Sequence, residues 1–568
     1  MNAHVKALFA STFAAFLFLL PTLAMDNTSS SNNWRTAETA RLRLHEKRLA
    51  LLREKYGIYP AFIVYQQMEE MLIKRISANL EAGLQAPSPA PGCHLEAYFS
   101  KPDGSPQPFW TYVPEKPAEH PGLLLHLHGY DPTLDLLIVP CVPAAFTNFA
   151  EATGSYLASP FSHGNTDFQH LGEADVLRVI DEMVARYGVD RDKVVLTGTS
   201  MGGLGAWCIA ARWPQLFNAV VIDSGRADFY VWHRLQPEDI PEWQREIVDS
   251  IFAGRRLSAL TDSSVIAGHG YFDDIVSYDQ GAFPVNQLKK LGAKHVRLHS
   301  YLKGHGVFGD LFSERDVQRL LARALTEKLP RGNRTTSIPS YPGQTGFRLM
   351  DALLSPFVLV AGRDRNGGGY SEDKLNERAG EWERFSHGRP ETVLETALTK
   401  GTAGSRNLIL FGEPETSPLI KAFLNRAGVT YTKDAFAIEG HVIPRSARHG
   451  FIIALPNPFE PRHTAIVQCG VPWALTGADN HRFDRIPDLA GYQDENDEFG
   501  YPLVDTAAFL TPSNTYRFVG TEPKRIDQSS LPFYDKYLFP SEEPAENSRE
   551  SSSGDTPPPF SNSEEQLP

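Results

Sequence analysis

From Val194 to Gly203 the chain reads Val-Val-Leu-Thr-Gly-Thr-Ser-Met-Gly-Gly. An apolar, β-branched run enters a G-x-S-x-G turn, and a small-residue apolar helix, Leu204–Arg212, leaves it. No other stretch restricts the fold as tightly. A strand that is apolar on both faces is buried between layers. A strand that turns straight into a helix returns by a crossover, so the segment calls for a mostly parallel sheet covered by helices. The turn also has chemical meaning. A serine on a sharp strand-to-helix turn has its hydroxyl lifted clear of the sheet, and flanking glycines let backbones approach closely. The helix N-terminus behind it favours developing negative charge. Ser200 is therefore the candidate nucleophile.

The surrounding pattern agrees. Strands are expected at Phe109–Val113, Leu123–Leu127, Ala219–Ile222, Ser264–Ala267 and Val296–Leu302. An amphipathic helix is expected over Glu173–Tyr187, with Val176, Ile180, Met183, Val184 and Tyr187 on one face and Gly188 ending it. Before this region, Trp34–Gly57 and Phe62–Ala82 read as helices, and Gln85–Gly92 as a Pro-rich linker. After it, residues 331–345 read as a second linker. Strands at Pro356–Val360 and Asn407–Phe411 and helices at Glu372–Phe385 and Ser417–Ala427 follow, then antiparallel or mixed strands at Gly450–Leu455 and Thr464–Cys469. The organisation expected is a signal at 1–24, a helical extension at 25–92, a catalytic α/β domain at 93–330, a second α/β domain at 346–538 and a disordered tail at 539–568.

A serine hydroxyl needs a base at neutral pH, and the base needs an orienting acid. In a sheet of this kind the order is nucleophile, acid, histidine. His305, in Lys-Gly-His-Gly just past the last core strand, is the expected base. His295 and His299 lie in or beside that strand and read as structural, and His269 precedes the acid. Asp273, in His-Gly-Tyr-Phe-Asp after the strand before, is the expected acid. Asp274 is its rival, and Asp223, after an earlier strand, is a weaker alternative. The oxyanion of an attacked carbonyl calls for two backbone N–H groups. Met201, after the nucleophile, supplies one, and Tyr130, after His128-Gly129 at the end of the Leu123–Leu127 strand, supplies the other. The insert after Ser224 carries Phe229, Tyr230, Trp232 and Trp243. Tyr230 and Trp232 are candidate substrate contacts, with plain lid packing as the alternative.

These segments resemble the secreted esterase and peptidase group of the α/β-hydrolase superfamily. The likeness is to prolyl-oligopeptidase-like serine hydrolases and to poly(3-hydroxybutyrate) depolymerase and feruloyl esterase-like enzymes. The resemblance rests on VDRDKVVLTGTSMGGLGAW, HLHGY, GHGYFDD and YLKGHG, with PFSHGN after a central strand, and covers about residues 93–325. It implies an α/β-hydrolase domain and cleavage of an ester or amide through Ser200, His305 and Asp273. Only helical sequence precedes the catalytic segment, so a propeller of repeated strands does not stand there, and an esterase is slightly favoured over a serine peptidase. A non-catalytic binding protein on a hydrolase scaffold is the reading of another class.

The partner expected is a small-molecule ester, a peptide or a polymer-linked acyl group. A formal net charge of -13 argues against a nucleic-acid binder, and no Cys/His cluster has zinc spacing, so neither nucleic acid, metal nor cofactor is expected. Lys6, the apolar run Ala7–Leu20 and Thr22-Leu23-Ala24 read as a cleaved export signal rather than an anchor. That places the chain outside the cell or in the periplasm, with no membrane span after cleavage. In such a compartment Cys93 and Cys141 can pair.

Overall fold

The computed structural model describes residues 31–57, 59–84, 89–329, 348–473, 486–496 and 502–522. The expected signal, the 331–345 linker and the 539–568 tail lie outside those residues. All described elements belong to one compact unit that ends at Ile526, and a second unit, Asp527–Pro568, is not described.

The first sheet has eight strands: β1 (Gly92–Phe99), β2 (Pro106–Val113), β3 (Leu123–Leu127), β4 (Tyr156–Pro160), β5 (Val194–Thr199), β6 (Ala219–Asp223), β7 (Val265–Gly270) and β8 (Val296–Tyr301). Their spatial order is β1-β2-β4-β3-β5-β6-β7-β8. β2 pairs antiparallel with both neighbours, and every pairing from β4 to β8 is parallel. This is the α/β-hydrolase fold. β5 is central, and its apolar residues Val194–Leu196 are at most 1% exposed, as a strand covered on both faces requires. The helix after the turn starts at Met201, three residues earlier than the sequence pattern places it. The reason is that Ser200 itself makes the turn, with φ 57° and ψ −114°.

Two of these strands carry no expected strand pattern. β4 reads Tyr-Leu-Ala-Ser-Pro, five residues without a β-branched side chain, and is specified by neighbours on both sides rather than by propensity. β1 spans the point where the extension was expected to give way to the catalytic domain, and pairs along its full length with β2.

The N-terminal helix Ser31–Tyr56 covers the β1–β2 edge, and the helix Pro60–Ala82 packs on it. Ala40 and Leu44 of Ser31–Tyr56 pack with Ala97, Leu136 and Phe161. Beside them Glu96 of β1 is buried among cations. It accepts from Arg186 Nη1 at 2.9 Å, lies 3.8 Å from Arg41 Nε and meets the Tyr187 hydroxyl at 3.3 Å. Removing one member of a buried ion group leaves the others unpaired in a poor solvent. Glu96→Ala is therefore expected to cost about 3–5 kcal/mol, read as a lower urea midpoint at unchanged slope. A midpoint within error of wild type would show that water reaches the site.

The second sheet has the order β10-β9-β11-β16-β15-β17-β18-β19, built from β9 (Phe357–Ala361), β10 (Glu391–Leu394), β11 (Asn407–Phe411), β15 (His449–Pro456), β16 (Thr464–Gly470), β17 (Leu489–Asn496), β18 (Pro502–Leu510) and β19 (Tyr516–Val519). Three short strands, β12 (Thr430–Tyr431), β13 (Ala435–Ile438) and β14 (His441–Pro444), form a side sheet. The first four strands of the larger sheet pair parallel and the rest antiparallel. One apolar core joins this half to the first, since Leu353, Phe357 and Trp382 cluster with Phe168, Leu171 and Trp207. Polar contacts reinforce it. Trp382 Nε1 and Ser386 Oγ both donate to Asp103, at 2.8 and 2.7 Å, and Gln107 Nε2 donates to the Ser386 carbonyl at 2.6 Å. Cys93 and Cys141 are free thiols.

Candidate active site

The nucleophile turn is held by close backbones. A Cβ on Gly202 would lie 2.0 Å from the Leu127 carbonyl oxygen, so only glycine lets the Met201–Arg212 helix reach the end of β3. Gly203 is also tight against Gly225, where a Cβ would lie 2.6 Å from its Cα. The turn is thus wedged between the end of β3 and the loop after β6. A positive φ at a serine is sparsely populated, and here the surrounding contacts enforce it.

The structure brings Ser200, His305 and Asp273 into one line. His305 Nε2 lies 2.8 Å from Ser200 Oγ. His305 Nδ1 faces the Asp273 carboxylate, at 2.8 Å to Oδ2 and 3.0 Å to Oδ1. The Asp273 side chain is fully buried, and its Oδ1 also accepts the Ile275 and Val276 amides at 3.0 and 2.8 Å. Burial alone would push this carboxyl up. Hydrogen bonds from His269, the Val276 amide and His305, together with the field of His305, outweigh it and hold the group down at about 2. Asp274 is exposed. Asp223 is buried at the end of β6, and its carboxylate takes backbone and hydroxyl donors.

Met201 is the first residue of its helix, where an amide has no partner within the helix. Gly129 lies against the nucleophile, since a Cβ there would be 3.8 Å from Ser200 Cβ, and Tyr130 follows it with a half-exposed ring. Asn165, in the loop after β4, clamps the next residue. Its Oδ1 accepts the Asp131 amide at 3.2 Å and its Nδ2 donates to the Asp131 carbonyl at 2.8 Å. The segment His128–Asp131 is thereby held at its Asp131 end, and at the other end His128 Nε2 lies 3.2 Å from the Phe161 carbonyl. Only a side-chain contact between two loops reveals this role. Asn165→Ala is expected to lower kcat for an activated ester about tenfold, the worth of about 1.4 kcal/mol of lost hydrogen bonding, with little change in KM. An unchanged kcat would mean the segment holds its shape alone.

The two aromatic candidates part company. Tyr230 sits in the core, 5% exposed, with its hydroxyl donating to Asp249 at 2.9 Å. Trp232 is half-buried, with the Arg226 guanidinium 5.1 Å from its ring centre, and Arg226 is paired with Asp167 at 3.0 Å. His299 stands on β8 beside Glu314 and Asp316, the one group of potential metal ligands among the described residues. Arg297 already pairs with that Asp316. Among the described residues, no helix is long and apolar enough to cross a membrane.

Residues 162–326 match the sequence model of the prolyl oligopeptidase family. The chain is 28% identical over 135 residues to feruloyl esterase B of Neurospora crassa, covering 21% of this chain and 44% of the relative. It is 29% identical over 133 residues to acetylxylan esterase A of Aspergillus ficuum, covering 20% and 41%. The chain thus spans less than half the length of the curated relatives it matches. Among solved structures, an acetyl xylan esterase from Aspergillus awamori overlaps 41% of this chain and 99% of its own, at 17% identity and a TM-score of 0.30. An acylaminoacyl peptidase from Pyrococcus horikoshii overlaps 41% and 40%, at 17% identity and a TM-score of 0.31.

Proposed function

We propose that this chain is a serine hydrolase that cleaves an ester or amide bond through a Ser200 acyl-enzyme. The observation that carries the reading is the 2.8 Å approach of His305 Nε2 to Ser200 Oγ, with Asp273 2.8 Å behind Nδ1. In this mechanism His305 takes the Ser200 proton as Oγ attacks the carbonyl carbon. The Met201 and Tyr130 amides receive the oxyanion. Asp273 keeps the imidazole in the tautomer that leaves Nε2 free to accept, and stabilises the imidazolium that forms. His305 then returns the proton to the leaving alcohol or amine. Water repeats the sequence on the acyl-enzyme and frees Ser200.

An ester substrate is favoured, supported by the feruloyl and acetylxylan esterases among the curated relatives. The family match to prolyl oligopeptidases supports a peptidase as the second reading. A panel of p-nitrophenyl esters beside peptide p-nitroanilides separates them. Turnover of peptides alone would overturn the ester preference. A fluorophosphonate probe tests the shared core of both, since mass spectrometry should find it on Ser200, and a folded protein that takes up no label would favour the non-catalytic reading. Export to the medium or periplasm belongs to the same proposal. A mature N-terminus at Met25 is expected, and an intact Met1 chain in the cytosol would count against it.

A further inference from the structure

Asp223 ends β6, and Ser224 follows it with φ 48°, a backbone conformation few serines adopt. Both residues are fully buried. A buried carboxylate is costly unless its oxygens are used, and the mechanism above does not use this one. Its contacts say what does. The Asp223 main-chain carbonyl accepts the Ser200 amide at 2.9 Å. Its Oδ1 accepts the Val307 amide at 2.8 Å and the Ser224 hydroxyl at 2.9 Å. The Ser224 oxygen in turn accepts the Gly306 amide at 3.3 Å, and the Ser224 amide donates to the Gly268 carbonyl of β7 at 2.9 Å.

This dipeptide therefore touches all three catalytic segments. It grips the nucleophile turn through one carbonyl, the strand leading into Asp273 through one amide, and the two residues after His305 through two side chains. The histidine segment needs such an anchor. Leu302, Lys303, Gly304 and Gly306 around His305 are exposed; the Lys303 carbonyl accepts the Phe272 amide at 2.9 Å before it, and Val307 is the first buried residue after it. An ionised acceptor on the Val307 amide is a stronger tie than a neutral one. Burial outweighs the Val307 amide, the Ser224 hydroxyl and the field of His305 and holds the Asp223 carboxyl above its usual value.

We propose that Asp223 is a positioning residue, which with Ser224 fixes the backbone after His305 against the nucleophile turn so that Nε2 meets Ser200 Oγ. The proposal rests on the serine hydrolase reading and adds a second buried aspartate to it, one that holds amides while Asp273 holds the imidazole.

Asp223→Ala and Asp223→Asn separate the roles, with p-nitrophenyl acetate as the probe. Displacing a reacting group by about 1 Å costs about 10²-fold. Asp223→Ala is expected to lose about that in kcat, with KM changed less than about threefold. Asp223→Asn keeps an oxygen for the Val307 amide and should recover to within about tenfold of wild type. Hydrogen exchange at the Val307 amide should quicken in Asp223→Ala and not in Asp223→Asn. A wild-type kcat in Asp223→Ala would overturn the proposal, as would Asp223→Asn falling as far as Asp223→Ala. If Asp223→Ala does not fold, Ser224→Ala removes the Gly306 tie and the hydroxyl donated to Asp223, and leaves the Val307 tie in place. It should lower kcat about tenfold at unchanged KM, and an unchanged kcat would overturn the proposal. If wild-type protein neither cleaves the ester nor labels with fluorophosphonate, the hydrolase reading fails instead, and the exchange rate at Val307 still decides whether Asp223 holds that backbone.

Discussion

Replacing Ser200 with alanine should abolish turnover, with kcat falling about 10⁶-fold and KM almost unchanged. The magnitude follows from what the hydroxyl does. Without Oγ no acyl-enzyme forms, and the only route left is direct attack of water on a carbonyl still held by the oxyanion amides. That residual route keeps rates above the uncatalysed reaction in enzymes of this mechanism. KM should hold because Oγ contributes little to ground-state binding. The variant should fold, because alanine fits the same turn and the contacts that enforce φ 57° belong to the Ser200 backbone, Gly202 and Gly203. Fluorophosphonate labelling should vanish with activity. Turnover within about tenfold of wild type would remove Ser200 from the chemistry. Loss of labelling at one site and persistence at another would reveal a different nucleophile.

Much of this arrangement is legible in the sequence, because its signals are local. An apolar strand, a G-x-S-x-G turn and a helix lie within about twenty residues of one another around Ser200. The histidine and acid segments each sit one loop past a recognisable strand, so chain order selects His305, and chain order with the His-Gly-x-x-Asp spacing favours Asp273 over Asp274 and Asp223. What stays hidden is what depends on distance in space. The Val307 amide and the Asp223 carboxylate are 84 residues apart, and no periodicity connects them. Asn165 ends the PFSHGN segment, but nothing in that segment shows its clamp on Asp131, which exists only because the loop after β4 folds back over the end of β3. The insert after Ser224 is ambiguous in the sequence for a different reason. An aromatic residue serves a core and a pocket equally well, and the partner of the Tyr230 hydroxyl, Asp249, lies a helix away. β4 escapes notice because its two neighbours impose the strand on a weak sequence. The joined core of the two halves escapes because linkers are visible in composition and interfaces are not.

Asp273→Asn tests the acid by charge and by shape together. The Asp273 carboxylate serves two amides through Oδ1 and His305 Nδ1 through both oxygens. Asparagine has one acceptor oxygen. If that oxygen keeps the Ile275 and Val276 amides, its NH₂ faces Nδ1 and forces the imidazole into the tautomer with the proton on Nε2. That nitrogen can no longer take the Ser200 proton. A loss of about 10⁴-fold in kcat is expected, while exposed Asp274→Asn should stay within about twofold, as a surface change does. The stability cost has a direction in pH. The folded carboxyl titrates near 2, below the usual value of about 3.9 for an unfolded chain. Its ionised form therefore stabilises the fold fully above about pH 4, and that contribution is lost as pH falls toward 2. The gap in melting temperature between wild type and Asp273→Asn should be widest at neutral pH and narrow between about pH 4 and pH 2. A gap constant across that window would mean the charge is not what the site stabilises. Full activity in Asp273→Asn, together with an Asp223→Asn variant about 10⁴-fold down, would move the acid to the end of β6.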